Sequence, residues 1–260
     1  MLVMHKFGHF AFLVFLLTTF SCEKKVEKGA IELQFKASYD GQPLVMLQQY
    51  DYNDTLDILF QRFNFYLSNV ELHVQGKPLS TFKNVLEIDF VDFDETDDIV
   101  KAQEGDVIRI EDVEAGVYDQ VRFGLGVPPD LNATEESDYP DTHPLGKDSH
   151  YWSAWGSYIF TMINGKVDVD GDGQFDDSSV LYHTGSDEVY REKSFSQVLE
   201  VKEGQTTRLV FEVDLHKLFL DADGVHYIDI IANPNTHDID DKEIANQVMD
   251  NFQETLWAGQ

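Results

Sequence analysis

Imidazole and indole side chains that could hold a metal ion are concentrated in two segments, residues 149–160 and 181–185. The candidate ligands in and near these segments are His150, Trp152, Trp155 and His183, with His143 and His237 as more remote histidines. Imidazole nitrogen suits copper, zinc, iron and nickel, so the ligand type alone leaves the metal open. The segments predict a metal site. The simpler alternative is that the Trp-x-x-Trp pair only packs in a β-sheet core.

A run of alternating carboxylates lies between the two segments and could hold calcium. The candidate ligands are Asp168, Asp170, Asp172, Gln174 and Asp176. Alternate carboxylates followed by Gly173 match the opening of a calcium loop, in which oxygen ligands converge on one hard cation. The twelfth position is Ser179 rather than the bidentate Glu of an EF-hand, and the flanks are typical of strands. We therefore expect a looser calcium loop, with an ion-free acidic hairpin tip as the alternative.

Sequence motifs that carry known enzyme chemistry are missing. The chain has no H-E-x-x-H, no cysteine pair, no G-x-S-x-G and no glycine-rich phosphate loop. Its many carboxylates could in principle act on a glycan, but they show no recognisable spacing for that reaction. The sequence therefore favours a binding protein over an enzyme.

The N-terminus is typical of an exported lipoprotein. Lys6 precedes an apolar run at residues 11–17, which is too short to span a bilayer, and a lone Cys22 follows Ser21. We expect residues 1–21 to be a lipoprotein signal peptide and Cys22 to carry the lipid. Residues 22–29 would be a charged linker, and residues 30–260 one domain. The alternative is an ordinary secreted protein with a cysteine near its cleavage site.

The composition excludes one class of partner. The chain has 48 acidic and 19 basic residues and a net charge of -29, so the phosphate backbone of nucleic acid would be repelled. Hydrophobic residues make up 42% of the chain, which is enough for a full core and argues against disorder. Such an acidic protein is compatible with cation binding or with a basic partner.

The elements that must position these side chains are predicted to be strands. Period-two alternation recurs along the chain, with short turns and no alternation with helices, which predicts an all-β antiparallel sandwich. Residues 63–74 are predicted to form a central strand that carries His73, another possible ligand. Residues 194–201 and 206–213 are predicted to form a hairpin.

The C-terminus changes to a helical period. Ile244, Val248, Phe252 and Leu256 recur every four residues, and Asp240 and Glu243 have the spacing of a capping box. This pattern predicts one amphipathic helix over residues 241–257, packed on the sandwich by its apolar stripe.

Four segments, in order, resemble the signatures of the MbnP-like domain family of periplasmic copper-binding proteins. They are residues 65–72 (FYLSNVEL), 123–128 (FGLGVP), 151–160 (YWSAWGSYIF) and 182–185 (YHTG). The resemblance covers the chain from about Ile31 to the C-terminal helix.

The resemblance implies a β-sandwich that binds copper for acquisition, storage or delivery. It implies Cu(I) held by histidines and by a kynurenine, which a partner di-haem enzyme of the bacterial peroxidase type makes from a tryptophan. Carried over to this chain, Trp152 or Trp155 would be the oxidised residue and His183 a ligand. The second ligand would be His150, which is named for its proximity and matches no family position, or its rival His237. The lipoprotein signal would anchor such a protein to the outer membrane. The competing hypothesis is a structural or interaction lipoprotein stabilised by calcium.

Overall fold

A computed structural model of the chain describes residues 26–238, 240 and 242–259. The expected signal peptide and the expected lipid site at Cys22 lie outside this part of the chain. The first strand begins at Lys28, so it includes the last two residues of the expected linker. Among the described residues, no helix has the length and apolar character needed to cross a membrane.

The described chain is dominated by β-strands. They are β1 (Lys28–Tyr39), β2 (Gln42–Pro43), β3 (Gln49–Asn53), β4 (Leu56–Val74), β5 (Phe82–Asp92), β6 (Asp106–Glu114), β7 (Gly116–Leu125), β8 (Tyr151–Trp152), β9 (Ser157–Asp168), β10 (Ser178–Gly185), β11 (Arg191–Val201), β12 (Thr206–Asp214) and β13 (Trp257–Ala258). The α-helices are α1 (Ile99–Glu104), α2 (Pro129–Asn132), α3 (Leu215–Leu218) and α4 (Glu243–Thr255). Single 3-10 turns occur at Glu136–Asp138, Pro144–Gly146, Asp148–His150 and Asp187–Val189.

The strands form two sheets, which confirms the predicted β-sandwich. The larger sheet has the order β10-β9-β4-β7-β11, with β3 and β5 also on β4 and β8 on β9. The smaller sheet has the order β13-β12-β1-β2, with β6 also on β1. Strand β4 contains the predicted central strand and pairs with β9 and then β7 along one edge, and with β3 and then β5 along the other.

Two details of strand pairing differ from the expectation. Strands β1 and β12 pair in parallel, from Ala30 opposite Thr206 to Ser38 opposite Asp214, whereas the other named strand pairs are antiparallel. The predicted hairpin of β11 and β12 is wrong, because β11 pairs with β7 in the larger sheet and β12 with β1 in the smaller one. The turn at residues 202–205 therefore carries the chain from one sheet to the other.

The main core lies between the two sheets. Phe35 of β1 stacks on Phe211 of β12 at 5.3 Å between ring centroids, and Phe65 of β4 and Phe123 of β7 meet Phe35 edge-on. All four rings are fully buried. Each buried aromatic side chain removes about 150–250 Å² from water, so these four rings contribute strongly to the hydrophobic free energy of folding.

A second packed layer covers the outer face of the larger sheet. The segment of residues 129–150 folds back over this face, where Tyr66 of β4 donates a hydrogen bond to the Pro144 carbonyl at 2.9 Å. Tyr66 also contacts Phe90 and Tyr158 edge-on, and Leu145 is fully buried. The polar outer face beside this layer carries the candidate metal ligands.

Helix α4 confirms the predicted amphipathic helix, with different ends. It begins at Glu243 with Lys242 at the N-cap, which makes no side-chain cap hydrogen bond, so the expected capping box starting at Asp240 does not form. Val248 and Phe252 of the apolar stripe are fully buried, and Leu256 is buried just after the helix. Phe252 lies edge-on to Phe65 at 4.9 Å, which joins the helix to the main core.

Candidate metal centre

His183 and His237 form a direct imidazole pair. The alternation of β10 turns Tyr182 and Thr184 into the core and leaves His183 on the outer face of the larger sheet. His237 approaches from the segment that precedes α4, and its Nε2 lies 3.1 Å from His183 Nδ1. Thr236 fixes this segment by donating from Oγ1 to the His183 carbonyl at 2.6 Å. The predicted candidates His183 and His237 are therefore brought together.

Asn164 determines which nitrogen of His183 is free to bind a metal. Asn164 Oδ1 lies 2.7 Å from His183 Nε2, and an amide oxygen can only accept, so Nε2 carries the proton. His183 Nδ1 then presents its lone pair, and His237 Nε2 donates to it. Metal-ligating histidines usually donate their second N–H in this way to an oxygen acceptor. The pair thus has the arrangement of a metal site with an orienting residue.

The electrostatic surroundings keep both imidazoles neutral. Burial lowers the pKa of His183 to about 4, with further lowering by His237 and Arg62. Burial also lowers the pKa of His237. Since only a neutral imidazole has a free lone pair, both side chains are in the form that binds a metal at neutral pH.

The two tryptophans pack directly against this pair. Trp152 stacks on Trp155 with 4.5 Å between ring centroids and meets the His237 ring edge-on at 4.7 Å. Trp155 Nε1 donates to the His237 carbonyl at 3.3 Å. Both indoles are only partly buried and neither belongs to the hydrophobic core. The alternative that they pack in a sheet core therefore does not hold.

Gly185 leaves the space that the Trp155 ring occupies. A Cβ built at Gly185 would lie 2.7 Å from the Tyr158 carbonyl oxygen and 2.9 Å from two carbons of the Trp155 ring. A side chain there would displace the indole. The H-x-G spacing of His183 and Gly185 thus combines a candidate ligand with the space that its neighbouring tryptophan needs.

His150, the other predicted ligand, occupies a neighbouring position. Its Nε2 donates to Asn64 Oδ1 at 3.3 Å, Ser149 Oγ lies 2.9 Å from its Nδ1, and Phe90 meets its ring edge-on at 4.6 Å. Burial lowers its pKa to about 4, with contributions from Lys147, Arg62 and His183. His183 thus contributes to the lowered pKa of His150, but both ring nitrogens of His150 have hydrogen-bond partners other than the imidazole pair.

The remaining histidines considered as ligands have structural partners. His73 is buried, with Nδ1 2.5 Å from Asp119 Oδ1 and Nε2 3.1 Å from the Pro78 carbonyl oxygen. His143 Nδ1 accepts from the Leu145 amide at 3.1 Å, in the 3-10 turn that it caps. Neither is in hydrogen-bond or ring contact with His183 or His237 among the described residues.

The acidic loop gathers three carboxylates, but not the predicted set. Asp168, Asp170 and Asp177 place one oxygen each within 4.8 Å of one another. Asp172 accepts from the Gln174 amide at 2.8 Å, and neither residue nor Asp176 is part of this group. Asp168 is buried and accepts from the amides of Gly171 and Gly173, both at 2.8 Å, which shapes the loop.

Comparison with known proteins identifies the family. The family model described as MbnP matches residues 28–244. The chain belongs to the MbnP family. No curated protein and no solved structure matches it. Membership of the MbnP family points to a periplasmic protein associated with metals. The match spans the candidate ligands from His150 to His237 and ends within α4.

Sequence reasoning missed three residues of these sites in this MbnP family member. Asn164 orients His183, and Met162 lies opposite His183 across β9 and β10. Only the strand register brings them there, since no motif contains them. Asp177 was missed because the EF-hand spacing favoured Asp176, although the Asp176-Asp177 pair was a signal for either residue.

Proposed function

We propose that this protein binds copper in the periplasm through His183 and His237, and serves copper acquisition, storage or delivery rather than catalysis. The observation that carries the proposal is the neutral imidazole pair at 3.1 Å, with Asn164 orienting His183. Family membership supports a metal-related role. Imidazole is a good ligand for copper, and the acidic surface would attract cations.

The donor set fits a metal ion after a small movement and a change of tautomer at His237. A metal with two nitrogen ligands at about 2.0–2.1 Å would hold those nitrogens about 4 Å apart when they lie on opposite sides. The present 3.1 Å distance must therefore widen by about 1 Å for an ion to replace the hydrogen bond. His237 must also move its proton from Nε2 to Nδ1, whereas His183 already has the required tautomer. His150 would approach as a further ligand only by giving up Ser149.

Copper binding by wild type and histidine variants tests this proposal. Under anaerobic reducing conditions, His183→Asn and His237→Asn should each lose tight Cu(I) binding while the melting temperature stays near that of wild type. His226→Asn is the control, because the His226 side chain is exposed and pairs with Asp223, outside the candidate site. Asn164→Ala should weaken binding by about 10–100-fold, the usual cost of losing an orienting partner. Full copper affinity in His183→Asn would contradict the proposal.

We further propose that Trp152 or Trp155 is oxidised to kynurenine by a di-haem enzyme of the peroxidase type. The partly exposed indoles beside His237 support this proposal, since an external enzyme could reach them. Peptide mass spectrometry of the protein purified from its native host should find kynurenine at one of these positions. It should find unmodified tryptophan there after expression in a host without such an enzyme. Unmodified tryptophan in both samples would reject this step.

The lipid anchor is proposed from Cys22 and the apolar run before it. Lipid would hold the domain at the outer membrane, with each buried methylene contributing about 0.8 kcal/mol. Cys22→Ser should move the protein from the membrane fraction to the soluble periplasmic fraction. If Cys22→Ser stays with the membrane, another anchor holds the protein.

The second candidate function is a calcium-stabilised structural or interaction lipoprotein. The convergence of Asp168, Asp170 and Asp177 favours it. A chelator should then lower the melting temperature of wild type, and Asp170→Asn should abolish that response. Asp172→Asn is the matched control, because both residues are exposed and each accepts a backbone amide two residues on, but Asp172 lies outside the convergent group. If chelator does not change the melting temperature, the loop does not bind a stabilising calcium ion.

A further inference from the structure

Met162 places a thioether next to the imidazole pair. It lies on β9 directly opposite His183 on β10 and opposite Asn64 on β4. Residues directly opposite one another in an antiparallel pair point to the same face, with Cβ atoms about 4.5–5.5 Å apart. Met162 therefore shares the outer face of the larger sheet with His183. Both side chains are long enough for Met162 Sδ and His183 Nδ1 to reach one shared metal ion.

The surroundings of Met162 differ from those of a core methionine. Its exposed fraction is only 3%, yet it is not part of the contiguous hydrophobic core. Its sulfur contacts the Arg62 guanidinium, with Nη1 3.4 Å from Sδ. Met249 is fully buried within the hydrophobic core, and its sulfur accepts hydrogen bonds from the neutral hydroxyls of Thr161 and Thr184. The contact of the Met162 sulfur with a charged guanidinium distinguishes it from this core methionine.

Arg62 connects the sulfur to both groups of candidate ligands. Arg62 lies opposite Asn164, which accepts from His183, and two residues before Asn64, which accepts from His150. Arg62 Nε is paired with Asp94 at 2.8 Å. The guanidinium thus contacts the sulfur through Nη1 while Asp94 holds it through Nε. A metal ion at the sulfur would repel Arg62 Nη1, and the Asp94 pair would retain the side chain.

We propose that Met162 Sδ is a third ligand, which makes the site of His183 and His237 selective for Cu(I). This inference rests on the proposed copper function. Thioether sulfur is a soft ligand that selects Cu(I), whereas imidazole alone accepts several divalent metals. Two imidazoles and one thioether would supply three ligands to Cu(I), which leaves a further position for a kynurenine formed at Trp152 or Trp155.

Comparison of Met162→Leu with Met249→Leu tests the inference. Both changes replace a buried methionine by a side chain of similar volume, which cores tolerate well. Cu(I) affinity is measured by anaerobic competition with a coloured Cu(I) chelator, Zn(II) affinity by a separate competition, and metal–sulfur scattering by X-ray absorption of the copper-loaded protein. Met162→Leu should lower Cu(I) affinity by about tenfold or more, as losses around metal sites do. It should leave Zn(II) affinity unchanged and remove the sulfur scattering. Met249→Leu should match wild type in all three.

The outcomes separate this inference from the function on which it rests. The copper function stands if wild type binds Cu(I) and His183→Asn does not. In that case Met162 is still not a ligand if Met162→Leu keeps wild-type Cu(I) affinity, or if copper-loaded wild type shows no sulfur scattering. Equal losses in Met162→Leu and Met249→Leu would indicate a packing effect and also overturn the inference. If wild type binds no Cu(I), or His183→Asn binds as wild type does, the copper function fails and the inference with it.

Discussion

Burial and hydrogen-bond partners decide the protonation of single histidines in this protein. His183 is partly buried beside Arg62 and another imidazole, and its pKa falls to about 4. His73 is buried against the Asp119 carboxylate, and that hydrogen bond raises its pKa above the usual 6.5. The first arrangement preserves a neutral ring that can bind a metal, and the second stabilises an imidazolium that holds two strands together. The surroundings of each histidine thus decide whether its pKa is lowered, as in His183, or raised, as in His73.

The His73–Asp119 pair predicts a pH-dependent contribution to stability. Because the folded-state pKa of His73 is raised, its contribution is fully present below pH 6.5 and is lost as pH rises through the raised pKa. His73→Gln should therefore destabilise the protein more at low pH than at high pH. Urea unfolding of both proteins across this range measures the difference. Asp119→Asn should remove the same pH dependence, and a wild-type-minus-variant difference that does not vary with pH would contradict the assignment.

Gly185 predicts a packing effect at the metal centre. Gly185→Ala should force Trp155 out of its seat, since the added Cβ would lie 2.9 Å from the ring and 2.7 Å from the Tyr158 carbonyl oxygen. Overpacking of this kind costs about 1–3 kcal/mol. Tryptophan fluorescence and urea unfolding report both effects. Gly116→Ala is the control, because the nearest atom to its added Cβ is 4.0 Å away. Equal changes of fluorescence and stability in the two variants would show that the space at Gly185 is not required for the position of Trp155.

At the scale of secondary-structure elements, the sequence predicts the buried face of a strand better than it predicts which strand pairs with it. Alternation identified many of the strands and their buried sides. Alternation carries no direction, however, so the parallel pairing of β1 and β12 could not be predicted. A Gly-containing turn predicted a hairpin of β11 and β12 because local turn chemistry does not reveal a change of sheet.

The candidate site shows the same limit. His183, His237, Trp152 and Trp155 could be proposed from residue type and motif, and the structure brings them into contact. The residues that orient the ligands come from strand register, which depends on long-range pairing. Asn164 and Met162 reach His183 only because β9 pairs with β10 in one register, and a shift of one residue would turn both to the other face.

The packing of helix α4 on the sandwich predicts how much its buried side chains contribute to the free energy of unfolding. Phe252→Ala should cost about 3–5 kcal/mol, the usual range for a fully buried phenylalanine. Its ring lies edge-on to Phe65 at 4.9 Å and has no solvent exposure. Ile244→Ala on the same stripe is the control and should cost less, because Ile244 is only partly buried. Urea unfolding measures both, and equal costs would mean that the helix is not held mainly through Phe252.

For the whole molecule, the excess of negative charge opposes the compact state. With 48 acidic and 19 basic residues, acidic groups outnumber basic groups by more than two to one, and folding brings them closer together. Ion pairs such as those of Glu32 with Arg109 and Arg208 offset the repulsion locally. Exposed pairs contribute only about 0–1 kcal/mol each. The long-range repulsion should therefore outweigh them.

Added salt should consequently stabilise this protein. Raising the NaCl concentration from a few mM to about 0.5 M shortens the screening length from tens of ångströms to a few. The melting temperature should rise by about 2–4 °C for each kcal/mol of repulsion relieved. Comparing NaCl with CaCl2 at equal ionic strength separates screening from a bound ion. Any additional rise in CaCl2 should disappear in Asp170→Asn, because Asp170 belongs to the convergent carboxylates, whereas the rise in NaCl should remain. A melting temperature that falls with NaCl would show that attractive ion pairs dominate the electrostatics of the fold.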